Sequence, residues 1–467
     1  MIATIADALL RQVETVQDTL GQTFFEPVIR LGVTGLSQSG KTVFITALVA
    51  NLLDRGRMVH LDTQIEAAFL QPQPSVTVPR FDYERHLDAL TGPDPHWPEG
   101  TRAVSELRVT LRVRRRGVLG ALQGSQRVHL DIIDYPGEWL LDLGLMGQSY
   151  ADWSRQVLAG LPKRPQAASF LAQVQGTDAA APLDEVQAQA LAQGFAGYLQ
   201  AARQAGHYDC TPGRFLLPGD LAGSPVLTFA PLPSPQAPAR GGLYRQMERR
   251  FEAYKSQVVG PFFREHFARI DRQIVLVDAL GAIHAGPRAV QELRAAMGAV
   301  LAAFRPGQNG ILRGLLQGRR VERILFAATK ADHIPHSQHA QLTTFMEALL
   351  REAADRAGVA GASTKAMAIA ALRCTTPEKI THNGQSHAAV RGVLDSNSKQ
   401  VALYPGALPD SPAAMLRAAQ AGAAGWLDQD YDFMRFRPQP NSLRPGMGPP
   451  HIRLDRAAEF LIGDRLR

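Results

Sequence analysis

The stretch GLSQSGKT, Gly35 to Thr42, fits the pattern G-x-x-x-x-G-K-[ST]. That pattern has physical meaning in one setting, where a strand ends at its first glycine and a helix begins at its lysine. Both flanks comply. PVIRLGVTG before it is a short β-type run ending in glycine, and KTVFITALVANLLDR after it has helical periodicity. There the glycines let the backbone turn tightly, and successive N–H groups backed by a helix N-terminus bind phosphate. The expected nucleotide contacts are Gly35, Ser37, Gln38, Ser39, Gly40, Lys41, Thr42 and Val43. Lys41 would reach the β- and γ-phosphates, and the Thr42 hydroxyl would ligate Mg²⁺.

The rest of the chain alternates strand and helix, which implies a doubly wound, parallel α/β sheet. SELRVTLRVRR and QRVHLDIID read as an antiparallel pair. DRQIVLVDAL, VERILFAATKAD and AMAIAALRC read as further strands, separated by helices over 287–304 and from Ser337 onward. Residues 56–104 are proline-rich and aperiodic apart from one short helix at YERHLDAL, and 376–450 have many turn signals and little periodicity. From about 140 to 268 the pattern is mostly helical. Ile2, Ile5, Leu9, Val13, Val16 and Leu20 form one apolar stripe, predicting a helix docked on the body of the protein. IRLDRAAEFLIGDRL is a short amphipathic helix.

A nucleotide-bound magnesium also needs a carboxylate at a neighbouring strand end. LDIIDYPGE offers Asp134, followed by Gly137 in D-x-x-G. Asp134 would hold the metal through water, and the Gly137 N–H would meet the γ-phosphate. The rival, Asp278, lacks that glycine and is expected to be structural or to act through a neighbouring site residue. Thr329-Lys330-Ala331-Asp332 is close to the N/T-K-x-D motif of GTP-binding domains. A carboxylate at Asp332 can accept from N1–H and the 2-amino group of guanine, donors adenine does not offer there. Backbone near Ala371, Leu372 and Arg373 would touch the guanine edge. Thr101 is the expected switch threonine, a third metal-side residue with Thr42 and Asp134, with Ser105 and Thr91 as alternatives. Arg102 beside it would neutralise transition-state charge or stay solvated. His333, His336 and His339 are expected to be exposed at a helix start, not to hold metal.

Composition narrows the setting. Across 467 residues the net charge is +7, but the basic residues are scattered and no nucleic-acid motif accompanies them. No run of about 18 apolar residues occurs, and the N-terminal stretch lacks the features of a secretion signal. A membrane surface contact is not indicated. With two cysteines, Cys210 and Cys374, a reducing cytosol is the expected compartment.

VTGLSQSGKTVFITALVANLL, DIIDYPGEWLLDL, VGPFFREHFARIDRQIVLVDAL, ATKADHIP and PHIRLDRAAEFLIGDRL together resemble the YcjX-like family of bacterial P-loop proteins, from about Thr34 to Leu466. The resemblance implies a cytoplasmic protein with a Ras-like P-loop NTPase (G) domain, a large helical insertion and C-terminal additions. It also implies association with a phage-shock type of envelope stress response, and supports GTP over ATP. The expected division is 1–139 and 269–375 for the G domain, 140–268 for the insertion, and 376–467 for an irregular or β-rich extension. Glu138 stands where Ras-like enzymes have a water-orienting glutamine. It would act as a base or face solvent. The expected function is a Mg²⁺-dependent GTPase switch binding GTP or GDP, with catalytic candidates Lys41, Glu138 and Arg102 and an unidentified protein effector. An ATPase or P-loop kinase, and a pseudo-GTPase that rarely hydrolyses, remain as alternatives.

Overall fold

The computed structural model describes residues 26–35, 38–100, 103–114, 124–237, 239–303, 321–357, 362–382, 384–409, 411–421, 434–440 and 442–467. The predicted N-terminal helix, Ser37, Thr101 and Arg102 lie outside them. The chain runs β1 (Val28–Gly35), α1 (Lys41–Leu53), β2 (Ile65–Gln71), α2 (Tyr83–Thr91), β3 (Ser105–Arg114) and β4 (Ser125–Asp134). Helices α3 (Glu138–Leu141), α4 (Tyr150–Gly160), α5 (Ala168–Gln175), α6 (Glu185–Gln204), α7 (Gly213–Leu216), α8 (Leu243–Tyr254) and α9 (Gly260–Glu265) follow. Then come β5 (Arg272–Val277), α10 (Ala279–Ala285), α11 (Pro287–Ala303), β6 (Arg323–Ala328), α12 (His339–Ala357) and β7 (Ser363–Ala368). The last elements are β8 (Thr376–His382), β9 (Gln385–Val393), β10 (Gln400–Leu403), α13 (Pro412–Ala421) and α14 (Leu454–Ile462).

A seven-stranded sheet of order β2-β3-β4-β1-β5-β6-β7 forms the centre. β4, β1, β5, β6 and β7 are parallel, while β3 pairs antiparallel with both β2 and β4. Parallel strands covered on both faces read as continuous apolar runs, and every residue of β5 is buried. Period-two alternation sorts them. Ile274 and Leu276 face a core shared with α1 and α14, while Val275 and Val277 face α10, α11, α12 and helices of the 138–265 segment. From β1 the chain first builds one half of the sheet, then returns through β5 to build the other. The carboxyl end of β1 therefore lies at the switch point where open α/β sheets take ligands.

One element departs from the sequence reading. Edge strand β2 lies in the stretch expected to be aperiodic, held by its pairing with β3. β8, β9 and β10 form a separate antiparallel sheet within 376–450. Residues 138–265 are helical with a dense aromatic interior, including Trp153 stacked on Phe251 at 4.9 Å between centroids. The C-terminal motif clasps the sheet. Fully buried Arg272 of β5 donates to the Leu461 carbonyl at 2.9 Å and to Asp464 at 3.0 Å.

Candidate nucleotide site

β1 ends at Gly35, whose added Cβ would lie 2.2 Å from Ser39 Oγ and 2.7 Å from the Leu276 carbonyl, so only glycine fits. The loop then turns through left-handed Gln38 (φ 61°) and Gly40 (φ 82°) into α1. Lys41 opens that helix and its Nζ donates to the Gly35 carbonyl at 3.1 Å, folding the side chain back along the loop. These residues form one wall of a cavity of about 480 Å³, lined here by Gln38, Ser39, Gly40, Lys41, Thr42 and Val43.

The opposite wall comes from the ends of β6 and β7. Thr329, Lys330, Asp332, Ala371 and Leu372 line it. Lys330 takes a left-handed conformation (φ 60°) and its Nζ pairs with Asp278, which also caps α10 by accepting from the Gly281 N–H at 3.0 Å. Asp278 thus both caps a helix and holds Lys330 at the cavity wall. Asp332 is 4% exposed, and its Oδ2 accepts from the Cys374 N–H at 2.8 Å. That bond fixes the carboxylate, yet its two oxygens offer about four acceptor positions and keep capacity for a ligand's donors. Arg373 does not line the cavity. Its N–H donates to the Pro450 carbonyl at 2.7 Å, and its side chain turns to the Thr375 carbonyl.

Sequence reasoning missed Trp97, Arg203, Asp395, Arg435 and Phe436, all on the cavity wall. Arg435 donates to Gln38, joining the C-terminal segment to the loop after β1. Phe436 packs beside His333 with ring centroids 5.2 Å apart. The histidines correct an expectation. His333 and His339 are buried, at 4% and 3% exposure, and only His336 is exposed. Burial lowers the pKa of His333, and burial with Arg453 nearby lowers that of His339 to about 4.

Asp134 ends β4 in register with Val33 of β1 and is 2% exposed. Neither it, Gly137 nor Glu138 lines the cavity. Glu138 does not face solvent. It is 6% exposed, and Arg203 Nη2 of α6 stands 2.9 Å from its Oε1. Trp139 lies beneath the Arg214 guanidinium, 3.4 Å from the ring centroid, and Gly213 packs directly on the Glu138 backbone. The D-x-x-G stretch is therefore wedged between sheet and helices.

Behind it, Asp142 accepts from Tyr254 Oη at 2.5 Å and the Gly213 N–H at 2.8 Å. Burial raises its pKa to about 7. A folded-state pKa above the unfolded one means the native state holds the extra proton between pH ~4 and ~7, so this group's stabilisation declines as pH rises through that window. Asp142→Asn, which mimics the protonated form, should flatten the decline by more than about 1 kcal/mol, the value of one pKa unit. Urea unfolding from pH 4 to 8 checks this. Parallel curves for both proteins would contradict it.

The sheet order, the glycine-bounded loop at the switch point and the cavity between loop and β6–β7 ends define a P-loop α/β protein of the Ras-like type. The chain belongs to the YcjX-like family, DUF463, whose family model matches residues 29–466. It is 38% identical over 457 residues to the Ras-like GTPase YcjX of Escherichia coli strain K12, covering 94% of this chain and 96% of that protein. It is 34% identical over 468 residues to the Ras-like GTPase YcjX of Shewanella oneidensis, covering 94% of each. Among the described residues, no helix is long and apolar enough to cross a membrane.

Proposed function

We propose that the chain binds GTP in this cavity and hydrolyses it, acting as a nucleotide-dependent switch. One observation carries the reading. A single cavity has the glycine-bounded loop with Lys41 and Thr42 on one wall and Thr329-Lys330-x-Asp332 on the other. The names of the relatives support the same base and reaction.

In the proposed reaction water attacks the γ-phosphorus in line. The bond to the β–γ bridging oxygen breaks, GDP leaves with that electron pair, and the water proton ends on inorganic phosphate. Loop N–H groups and Lys41 stabilise the charge on the phosphate oxygens. Thr42 on the cavity wall and Asp134, buried beside β1 at the end of β4, would supply hard oxygen donors, a set that suits Mg²⁺. When bound, the ion would neutralise charge on the β- and γ-phosphates. Gly100 lines the cavity, and the switch role expected of Thr101 falls outside the described residues. Glu138 is the candidate to orient the water. Glu138→Ala should lower single-turnover hydrolysis by about 10²-fold or more, the scale of general-base effects, with GTP affinity little changed. Wild-type turnover in the variant would remove Glu138 from the chemistry.

The burial of Glu138 in an ion pair favours a second reading, a binding module that seldom hydrolyses. Single-turnover hydrolysis by the wild-type protein separates the two. Of the helices we take as an insertion, α6 and α7 touch Glu138 and Trp139 just after D-x-x-G, which supports passing the state of that stretch to a protein effector. Family membership supports a role in the phage-shock type of envelope stress response. Unchanged survival of a deletion strain under envelope stress would argue against it.

A further inference from the structure

We infer that Arg203 is a catalytic arginine supplied in cis from α6, and that Glu138 is its resting partner. The inference rests on the GTPase reading and deepens it.

Two contacts of the same side chain support it. Arg203 lines the same cavity as Lys41 and Thr42, although it sits in the last turn of a helix far from the loop in sequence. Its Nη2 also stands 2.9 Å from Oε1 of Glu138, the residue that follows D-x-x-G. The Arg203 side chain is 29% exposed against 7% for Glu138.

The chemistry follows from charge. A guanidinium has five N–H donors in a planar fork, so it can turn from one anionic partner to another or bridge two. In the loose transition state negative charge is spread over the equatorial γ-phosphoryl oxygens and develops on the leaving β–γ bridging oxygen, a larger anionic target than a single carboxylate. Drawn to that charge, Arg203 would leave Glu138. The freed carboxylate could then accept a hydrogen bond from the attacking water. Turning Arg203, which already lines the cavity, would bring a cation to the phosphoryl group, and Glu138, which does not line it, would have to follow to meet the nucleophile. Arg203 thereby takes the role that sequence reading gave to Arg102.

The test compares wild type, Arg203→Ala and Arg203→Lys in three measurements: single-turnover GTP hydrolysis, GTP and GDP affinity, and binding of GDP with aluminium fluoride, a transition-state mimic. Arg203→Ala should hydrolyse at least about 10³-fold more slowly, the lower end for such arginines, and lose the mimic. Its GTP affinity should change by less than about tenfold, because the contact is made chiefly in the transition state. Arg203→Lys keeps charge without the fork and should fall between the two. If Arg203→Ala fails to fold, the lysine variant carries the same comparison. Normal hydrolysis and mimic binding in a folded variant would overturn the inference and leave Arg203 as a structural tie. Absence of hydrolysis in the wild type would instead overturn the GTPase reading itself.

Discussion

Lys41→Ala should abolish tight triphosphate binding in a protein that still folds. Lys41 opens α1 at the edge of the cavity, half-buried, and contributes nothing to the apolar core beneath the helix. Its one described hydrogen bond, to the Gly35 carbonyl, is worth about 1 kcal/mol to the loop. Toward a ligand the same ammonium would make charge-assisted bonds to two phosphates, each about 1.5–3 kcal/mol. The asymmetry predicts a loss in GTP affinity of roughly 10²- to 10⁴-fold, with the urea midpoint nearly unchanged. Titration with a fluorescent GTP analogue, paired with urea unfolding, reads both quantities. A folded variant with wild-type affinity would refute phosphate binding at this loop.

Asp332→Asn should change which base is accepted. Asp332 Oδ2 already accepts from the Cys374 N–H. In the variant the amide oxygen would keep that bond, which turns the NH₂ toward the ligand. Guanine would then present N1–H and the 2-amino group to a donor, and lose a charge-assisted pair. GTP binding should weaken by several kcal/mol. Xanthine carries an oxygen in place of the 2-amino group and can accept from the new NH₂, so the variant should prefer xanthosine triphosphate. Competitive displacement by GTP, ATP and xanthosine triphosphate measures it on both proteins. Equal ATP and GTP affinity in the wild type, or retained GTP preference in the variant, would remove Asp332 as the base reader.

The elements legible in the sequence are those whose signal is local. Gly35–Thr42 carries its own backbone logic, the β3–β4 pair alternates, and β5 and β6 are continuous apolar runs. The sequence IEAAFLQ of β2 has two alanines and no sustained alternation, and it is a strand because β3 offers it an edge. The β8–β10 sheet, with Pro377 inside β8, likewise depends on pairing more than propensity. At the site, the walls made from motifs were foreseen, while Arg203, Asp395, Arg435 and Phe436 were not. Each is a single side chain brought in by the tertiary fold, with no spacing rule to mark it. Trp97 had a faint signal, a large aromatic in a polar loop just before the expected switch threonine.

That cavity draws its wall from residues as far apart as Gln38 and Phe436. Whatever fills it would act as a cross-brace between the sheet, the helical segment and the C-terminal segment that carries Asp395, Arg435 and Phe436. By mass action, a ligand held at about a hundred times its Kd adds about 2.7 kcal/mol to the folded state. That increment is large beside the 5–15 kcal/mol typical of a whole domain. The working lifetime of the protein in the cell would then follow nucleotide supply, with the empty form the one exposed to proteases.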